Sequence, residues 1–279
     1  MTVRIWHQSM TDLDNLPQYA KTLAEHATAV CAADTVVDIH GVAAGSYPAN
    51  MTPIEAIVNP WVDKMISAQI VNNAVIAQRE GYDAVAISCF FDPGLREARS
   101  LVDIPVVSLC ETSFFVGTTM GGRFGLIGLG PEQLFVLNEL AERYGATGRI
   151  AATLPLTPAL TEDDLESVHG GGGDLVERVE AVARKAVALG ADMIIPAEGV
   201  LNTALMRRGV TTLAGVPVMD AYGTLLCYAE MLARLHRFSA LSVSHTGYYA
   251  GPDAEGFDHF TQVTIDALSK NHSRGESPS

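Results

Sequence analysis

The sequence predicts an α/β protein of two pseudo-symmetric, doubly wound, mostly parallel lobes with the site between them. Three observations carry this expectation. Strand-length apolar runs alternate with helix-length amphipathic stretches through both halves of the chain. A block is also repeated. Gly81-Tyr-Asp-Ala-Val-Ala-Ile-Ser-Cys89 and Gly190-Ala-Asp-Met-Ile-Ile-Pro-Ala-Glu198 each run from glycine through aspartate to an apolar strand and then a reactive side chain. Asp83 and Asp192 both stand six residues ahead of that last position. Finally, each block leads through a helix to a second strand, Ile104-Pro-Val-Val or Val216-Pro-Val-Met, with only three residues more in the later copy. A duplicated β-α-β unit whose copies face each other sets Cys89 and Glu198 across one cleft, at the strand ends where open α/β sheets bind ligands.

The elements follow in order. Val3–Trp6 reads as the first strand with His7-Gln8-Ser9 just beyond it, followed by a helix over 17–32 and a strand at Thr35–His40. Residues 41–60 form a long loop carrying Ser46 and Tyr47, and loops of that length in compact domains are often functional. Trp61–Glu80 stacks Ile66, Ile70, Ala74 and Ala77 on one helical face. Ala84–Ser88 is a buried strand, Asp92-Pro93-Gly94 turns the chain into a helix from Leu95, and a strand at Pro105–Leu109 closes the first lobe. The second lobe has strands at Arg123–Gly128 and Arg149–Leu154 and helices over 131–144, 174–189 and 199–208, with Pro131 suited to a first helical position. His169 and the glycines after it read as a flexible joint, because no Gly-x-Ser-x-Gly elbow accompanies them. Tyr222–Leu235 is a helix crossing back toward the first lobe. The expected division is 1–120 with a return over about 236–269 for the first lobe, 121–235 for the second, and a disordered tail over 270–279.

With 48% hydrophobic and 18% charged residues, the 279-residue chain has material for a large core. A net charge of −14 argues against nucleic acid and anionic membranes as partners and leaves a small molecule. The N-terminus has no signal pattern and no apolar run nears the roughly 20 residues of a membrane span. The four cysteines are far apart without Cys-x-x-Cys spacing, which disfavours zinc and a disulfide framework. A cytoplasmic protein is expected. His7, His40 and His245 lack metal-ligand spacing, so no metal is expected. Without a Walker loop or Gly-x-Gly-x-x-Gly, a nucleotide cofactor is unsupported.

Cys89 is the first candidate for chemistry. A thiol is largely protonated at neutral pH unless its site assists, and the amides of the helix that follows offer such assistance. Glu198 is the second, since a carboxylate directly after an apolar strand needs a partner or a task; capping the helix behind it is the competing explanation. Gln8 and Ser9 share the rim and can hydrogen-bond a substrate. Ser46, Tyr47, Thr118 and Gly199 are further binding candidates, and Phe90 a candidate apolar wall. Cys31, Cys110 and Cys227 read as inert thiols.

Cys89-Phe-Phe-Asp-Pro-Gly-Leu95, Ala98-Arg99 and Asp103-Ile-Pro-Val106, with Val216-Pro-Val-Met-Asp220 and Tyr248-Tyr-Ala-Gly-Pro252, resemble the aspartate/glutamate/hydantoin racemase superfamily, most closely its hydantoin racemase branch. The resemblance implies two Rossmann-like lobes, no cofactor, and one cysteine from each lobe flanking the substrate's α-carbon. It also implies a homo-oligomer. This chain departs from the pattern in having Glu198 at the second cysteine, and Gly128-Leu-Gly130 where relatives often carry hydroxyls; helix amides are the expected substitute for those. The leading reading is a cofactor-independent racemase working by proton transfer at a carbon α to a carbonyl, on a hydantoin-like or amino-acid-derived substrate. The alternative is a Cys89 nucleophile assisted by Glu198, in a hydrolase, lyase, decarboxylase or maleate-type cis–trans isomerase. A non-catalytic ligand-binding protein is the third.

Overall fold

The computed structural model describes residues 2–48, 51–160, 164, 169 and 173–272. Its first sheet is parallel, in the order β2-β1-β3-β4, from β1 (Val3–Gln8), β2 (Thr35–His40), β3 (Ala84–Ile87) and β4 (Val106–Ser108). The second is parallel, in the order β6-β5-β7, from β5 (Phe124–Gly128), β6 (Ile150–Pro155) and β7 (Met193–Pro196). Val218 adds a parallel bridge to Ile194 on the outer side of β7, which gives both sheets the same order. The doubly wound expectation is met, and the repeat seen in sequence is a repeat of topology. Its two aspartates have matching structural work. Asp83 accepts from the Arg4 N–H at the start of β1 (2.7 Å), and Asp192 accepts from the Arg123 N–H just before β5 (2.8 Å).

Helices cover both faces of the first sheet. On one side α3 (Pro60–Arg79) packs Ile66, Ile70 and Ala74 over Val85 and Ile87. Asn59 caps this helix by accepting from the Trp61 N–H, and Pro60 occupies its first turn. On the other side α1 (Pro17–Val30) packs Tyr19 and Leu23 near Val3, Ile5, Ala84 and Ala86. That second layer is continuous with the core of the second sheet, where Phe124, Leu126 and Ile127 meet Val179 and Val182 of α7 (Leu175–Ala188). The approach of α7 is close enough to require Gly125: a β-carbon there would stand 2.6 Å from that of Ala186. One apolar core therefore runs through both lobes.

Several boundaries differ from expectation for definable reasons. β1 runs on to Gln8 because its ladder with β2 continues to His40, so His7 and Gln8 lie inside a strand. The long loop contains a short helix, α2 (Pro53–Ile57), closed by a capping box between Thr52 and Glu55. An unforeseen helix, α5 (Leu109–Met120), follows β4 at once; its sequence is mostly apolar and buried and offers little amphipathic contrast. After α4 (Leu95–Arg99), α6 (Leu134–Arg143) and α8 (Gly199–Arg207), helix α9 spans Ala221–Ser239 and packs against β1, β3 and β4. The expected lobe boundary at 235 falls inside it. The chain then passes over α4, with Arg96 over the Tyr248 ring and Arg99 donating to the Tyr249 hydroxyl, before α10 (Ala254–His272). The expected tail is helical as far as His272, and 273–279 lies outside the described residues. So do Gly170–Gly172 of the expected joint, whereas His169 is buried between Thr22 and Val200. Among the described residues no helix is long and apolar enough to cross a membrane.

Candidate active site

Cys89 lies two residues past the end of β3, and Glu198 two residues past the end of β7. Both line one cavity of about 30 Å³, formed where the carboxyl ends of the two sheets meet. Ser9, Ser88 and Gln133 line it as well, with Pro53, Ile54 and Ile57 of the α2 segment along another side. Among the described residues no lysine, arginine or histidine lines it. A larger groove of about 460 Å³ adjoins it through Ile57 and Phe91, but neither Cys89 nor Glu198 reaches that groove. The cavity holding both strand-end groups is the candidate active site.

Cys89 is buried. Its thiol lies 3.0 Å from the Met10 thioether and accepts from the Phe91 N–H at 3.4 Å. The expected helix assistance does not dominate. Burial pushes the thiol well above its ordinary pKa, the Phe91 N–H opposes this, and the nearby Asp92, Glu198 and Asp63 carboxylates add to the rise. The helix in question, α4, has only five residues and begins after the turn through Asp92 and Gly94. Glu198 is partly buried and caps α8, accepting from the Leu201 N–H at 2.6 Å. Burial raises its pKa to about 7, against the pull of the Leu201, Val200 and Gly199 amides. The capping and chemical explanations for Glu198 are thus compatible: the helix end orients the carboxylate that faces the cavity.

The turn after Cys89 is anchored by Asp92, which is 5% exposed. Its carboxylate accepts from the Ser108 hydroxyl, the Cys110 and Glu111 amides at the start of α5, and the Tyr144 hydroxyl at the end of α6. The thiol's position is therefore tied to both lobes.

The remaining candidates fall into two groups. Ser9 lines the cavity, its hydroxyl bonded to that of Thr11 at 2.8 Å, and Phe90 forms part of the wall. Gly199 is the buried first residue of α8 beside Glu198. The others lie elsewhere. Gln8 points to the opposite face of β1, where its Oε1 accepts from Trp6 and Asn73 and its Nε2 donates to the Ser9 carbonyl. Ser46 is bound to Ala43 and Gln69, and Tyr47 donates to the Met10 carbonyl at 2.6 Å, outside the cavity wall. Thr118 is an exposed residue of α5 whose hydroxyl donates to its own helix. Sequence reasoning passed over Ser88, although it adjoins Cys89, and Gln133, which no periodicity marks. Gln133 also changes the expected anion site after β5. Its Oε1 takes the Leu129 N–H at 3.0 Å, and Pro131 has no N–H to offer. Among the described residues no group of three or more His, Cys, Asp or Glu side chains is placed to hold a metal ion.

Over residues 18–229 the chain matches the family model described as Asp/Glu/Hydantoin racemase. It is 28% identical over 182 residues to the hydantoin racemase of Pseudomonas sp. (strain NS671), covering 64% of this chain and 70% of that one. It is 27% identical over 183 residues to the hydantoin racemase of Paenarthrobacter aurescens, covering 64% and 75%. In structure it is similar to allantoin racemase from Klebsiella pneumoniae, with a TM-score of 0.74, 24% identity, and coverage of 90% and 94%; that likeness speaks for the fold.

Proposed function

Because the chain belongs to the Asp/Glu/hydantoin racemase family, we propose that it is a cofactor-independent racemase in which Cys89 and Glu198 exchange protons with a carbon α to a carbonyl. The observation that supports this assignment is the single cavity that both residues line. In one direction the Glu198 carboxylate takes the α-proton and the bonding pair moves onto the carbonyl oxygen. The Cys89 thiol then gives its proton to the opposite face of the carbon. This leaves a Glu198 acid and a Cys89 thiolate, which reset by exchange with water.

The two acids are not matched. Burial raises Glu198 to about 7 and holds the Cys89 thiol well above its usual range, so above neutral pH the resting pair is carboxylate and thiol. The enantiomer that needs the reverse pair meets a minor form of the enzyme. Since two enantiomers have equal free energy, kcat/KM must be the same in both directions, and the asymmetry appears in kcat and KM separately. A buried thiol with little thiolate also gives poor support to a nucleophilic Cys89.

A lining without cations favours a neutral substrate over a free amino-acid carboxylate, whose charge would go unpaired. We assign a hydantoin-like ring, with apolar substituents toward Phe90 and Ile57. Four free cysteines suit a reducing compartment such as the cytoplasm. We also propose a homo-oligomer, since α10 leaves Phe260, Val263, Ile265 and Leu268 exposed. The test is incubation of a 5-monosubstituted hydantoin in deuterated water. Inversion should proceed with deuterium incorporation at the α-carbon, and turnover without it would exclude the assignment. A covalent adduct trapped on Cys89 would point to the nucleophilic alternative.

A further inference from the structure

We propose that Gln133 and Ser88 are the hydrogen-bond donors that hold the substrate's carbonyl oxygen while negative charge builds on it. The inference rests on the racemase assignment and adds to it the groups that stabilise the enolate.

The polar groups of the cavity divide by whether they are already engaged; Tyr19 is engaged within the protein, and the Cys89 thiol meets Met10 and the Phe91 N–H. The Ser9 and Thr11 hydroxyls bond each other. The Glu198 carboxylate is held at the end of α8. Two groups remain. The Ser88 hydroxyl is buried and has no hydrogen-bond partner among the described residues, although its residue is fixed by an N–H bond to the Gln8 carbonyl at 2.8 Å. Gln133 is 2% exposed, and its carboxamide is oriented at one end only. With Oε1 turned to the Leu129 N–H, its Nε2 amino group is the free end, and it has no partner among the described residues. A buried hydroxyl is normally satisfied, so the unpaired Ser88 hydroxyl marks a place for an acceptor that the protein does not supply, and the unengaged Gln133 amino group is a second donor lining the same cavity.

The positions of the donors fit the proton chemistry. Ser88 adjoins Cys89 at the end of β3, and Gln133 follows β5 in the second lobe, so the donors, like the acid and base, come from opposite lobes. Both are neutral. A neutral donor pair gives modest binding to a ground-state carbonyl and more to the enolate oxygen, which is the differential a catalyst needs. The acceptor they suit is the ring carbonyl of an uncharged cyclic amide.

The experiment compares S88A and Q133M with the parent protein on a 5-monosubstituted hydantoin, following α-deuterium exchange and inversion with kcat and KM resolved. Each variant is expected to lose on the order of 10²-fold in kcat with little change in KM, as loss of one such donor does elsewhere. Thermal unfolding of each variant checks that the fold is kept. If Q133M does not fold, S88A decides alone, because the Ser88 hydroxyl bonds nothing whose loss would unfold the protein. Parent-level kcat in both folded variants, or a change confined to KM, would overturn the inference and leave the racemase assignment standing. Absence of exchange in the parent protein would overturn the assignment, and this inference with it.

Discussion

At the scale of single residues, the unusual feature is a carboxylate and a thiol lining one cavity, which the proposed racemisation sets to work from opposite sides. Glu198 must be ionised to act as base, and with its pKa raised to about 7 that form grows in as pH rises through neutrality. The kcat/KM profile should therefore climb with pH and be half-risen near 7. Glu198→Gln should lower activity by about 10²–10⁴-fold, and Glu198→Cys should move the rise toward the thiol range; steady-state rates from pH 5 to 9 check all three. Stability has the opposite sign. Because burial raises the folded pKa above the unfolded value of 4.5, the stabilising contribution of protonated Glu198 is complete below about 4.5 and is lost as pH rises to about 7. Glu198→Gln should thus gain in melting temperature relative to the parent above neutral pH. The strand-end positions of Cys89 and Glu198 were legible in the sequence because a repeat fixes register. Gln8 was misjudged because β1 is longer than its apolar run, and strand alternation then turns Gln8 away from the cavity and Ser9 toward it.

At the scale of elements, the turn between β3 and α4 decides where the thiol stands. Asp92 sits at a φ of 48°, a conformation that asparagine also tolerates, so Asp92→Asn tests the carboxylate without disturbing the backbone. An amide cannot accept from the Ser108 and Tyr144 hydroxyls and two backbone N–H groups together. The variant should lose about 2–3 kcal/mol in urea unfolding, the scale of hydrogen bonds to a charged group. It should also lose activity through the displaced Cys89. The sequence showed the turn through its proline and glycine. It did not show the anchor, because the donors come from residues 16 to 52 positions further along the chain. The same holds for Arg99, which joins Glu111, the Val106 carbonyl and the Tyr249 hydroxyl.

At the scale of the molecule, two sheets of one strand order share a continuous core, and their carboxyl ends close on a space of about 30 Å³. That volume admits a water or two and not a five-membered ring. Substrate entry therefore requires the wall to open, and the α2 segment, which lines the cavity through Pro53, Ile54 and Ile57, is the element that can yield without breaking a sheet. Away from the site, α10 touches the first lobe through Phe257 and an Arg79–Asp258 ion pair, and displays Phe260, Val263, Ile265 and Leu268 to water. Most helical stability in proteins comes from packing an apolar face, so a second copy of the chain is the expected partner of this one. Light scattering should give a mass above 29.7 kDa, and Phe260→Asp with Leu268→Asp should reduce it. A parent protein at monomer mass would refute the pairing.

The sequence by itself determined the alternating architecture, the duplicated unit and the matching strand-end positions of Cys89 and Glu198, because these depend on local periodicity and on register within a repeat. Only the tertiary structure decided which neighbouring polar groups reach the cavity and which are consumed within the protein. It also decided that the thiol is made less acidic and the carboxyl less readily ionised. Both outcomes depend on burial and on partners distant in the chain, and spacing along a sequence does not encode desolvation.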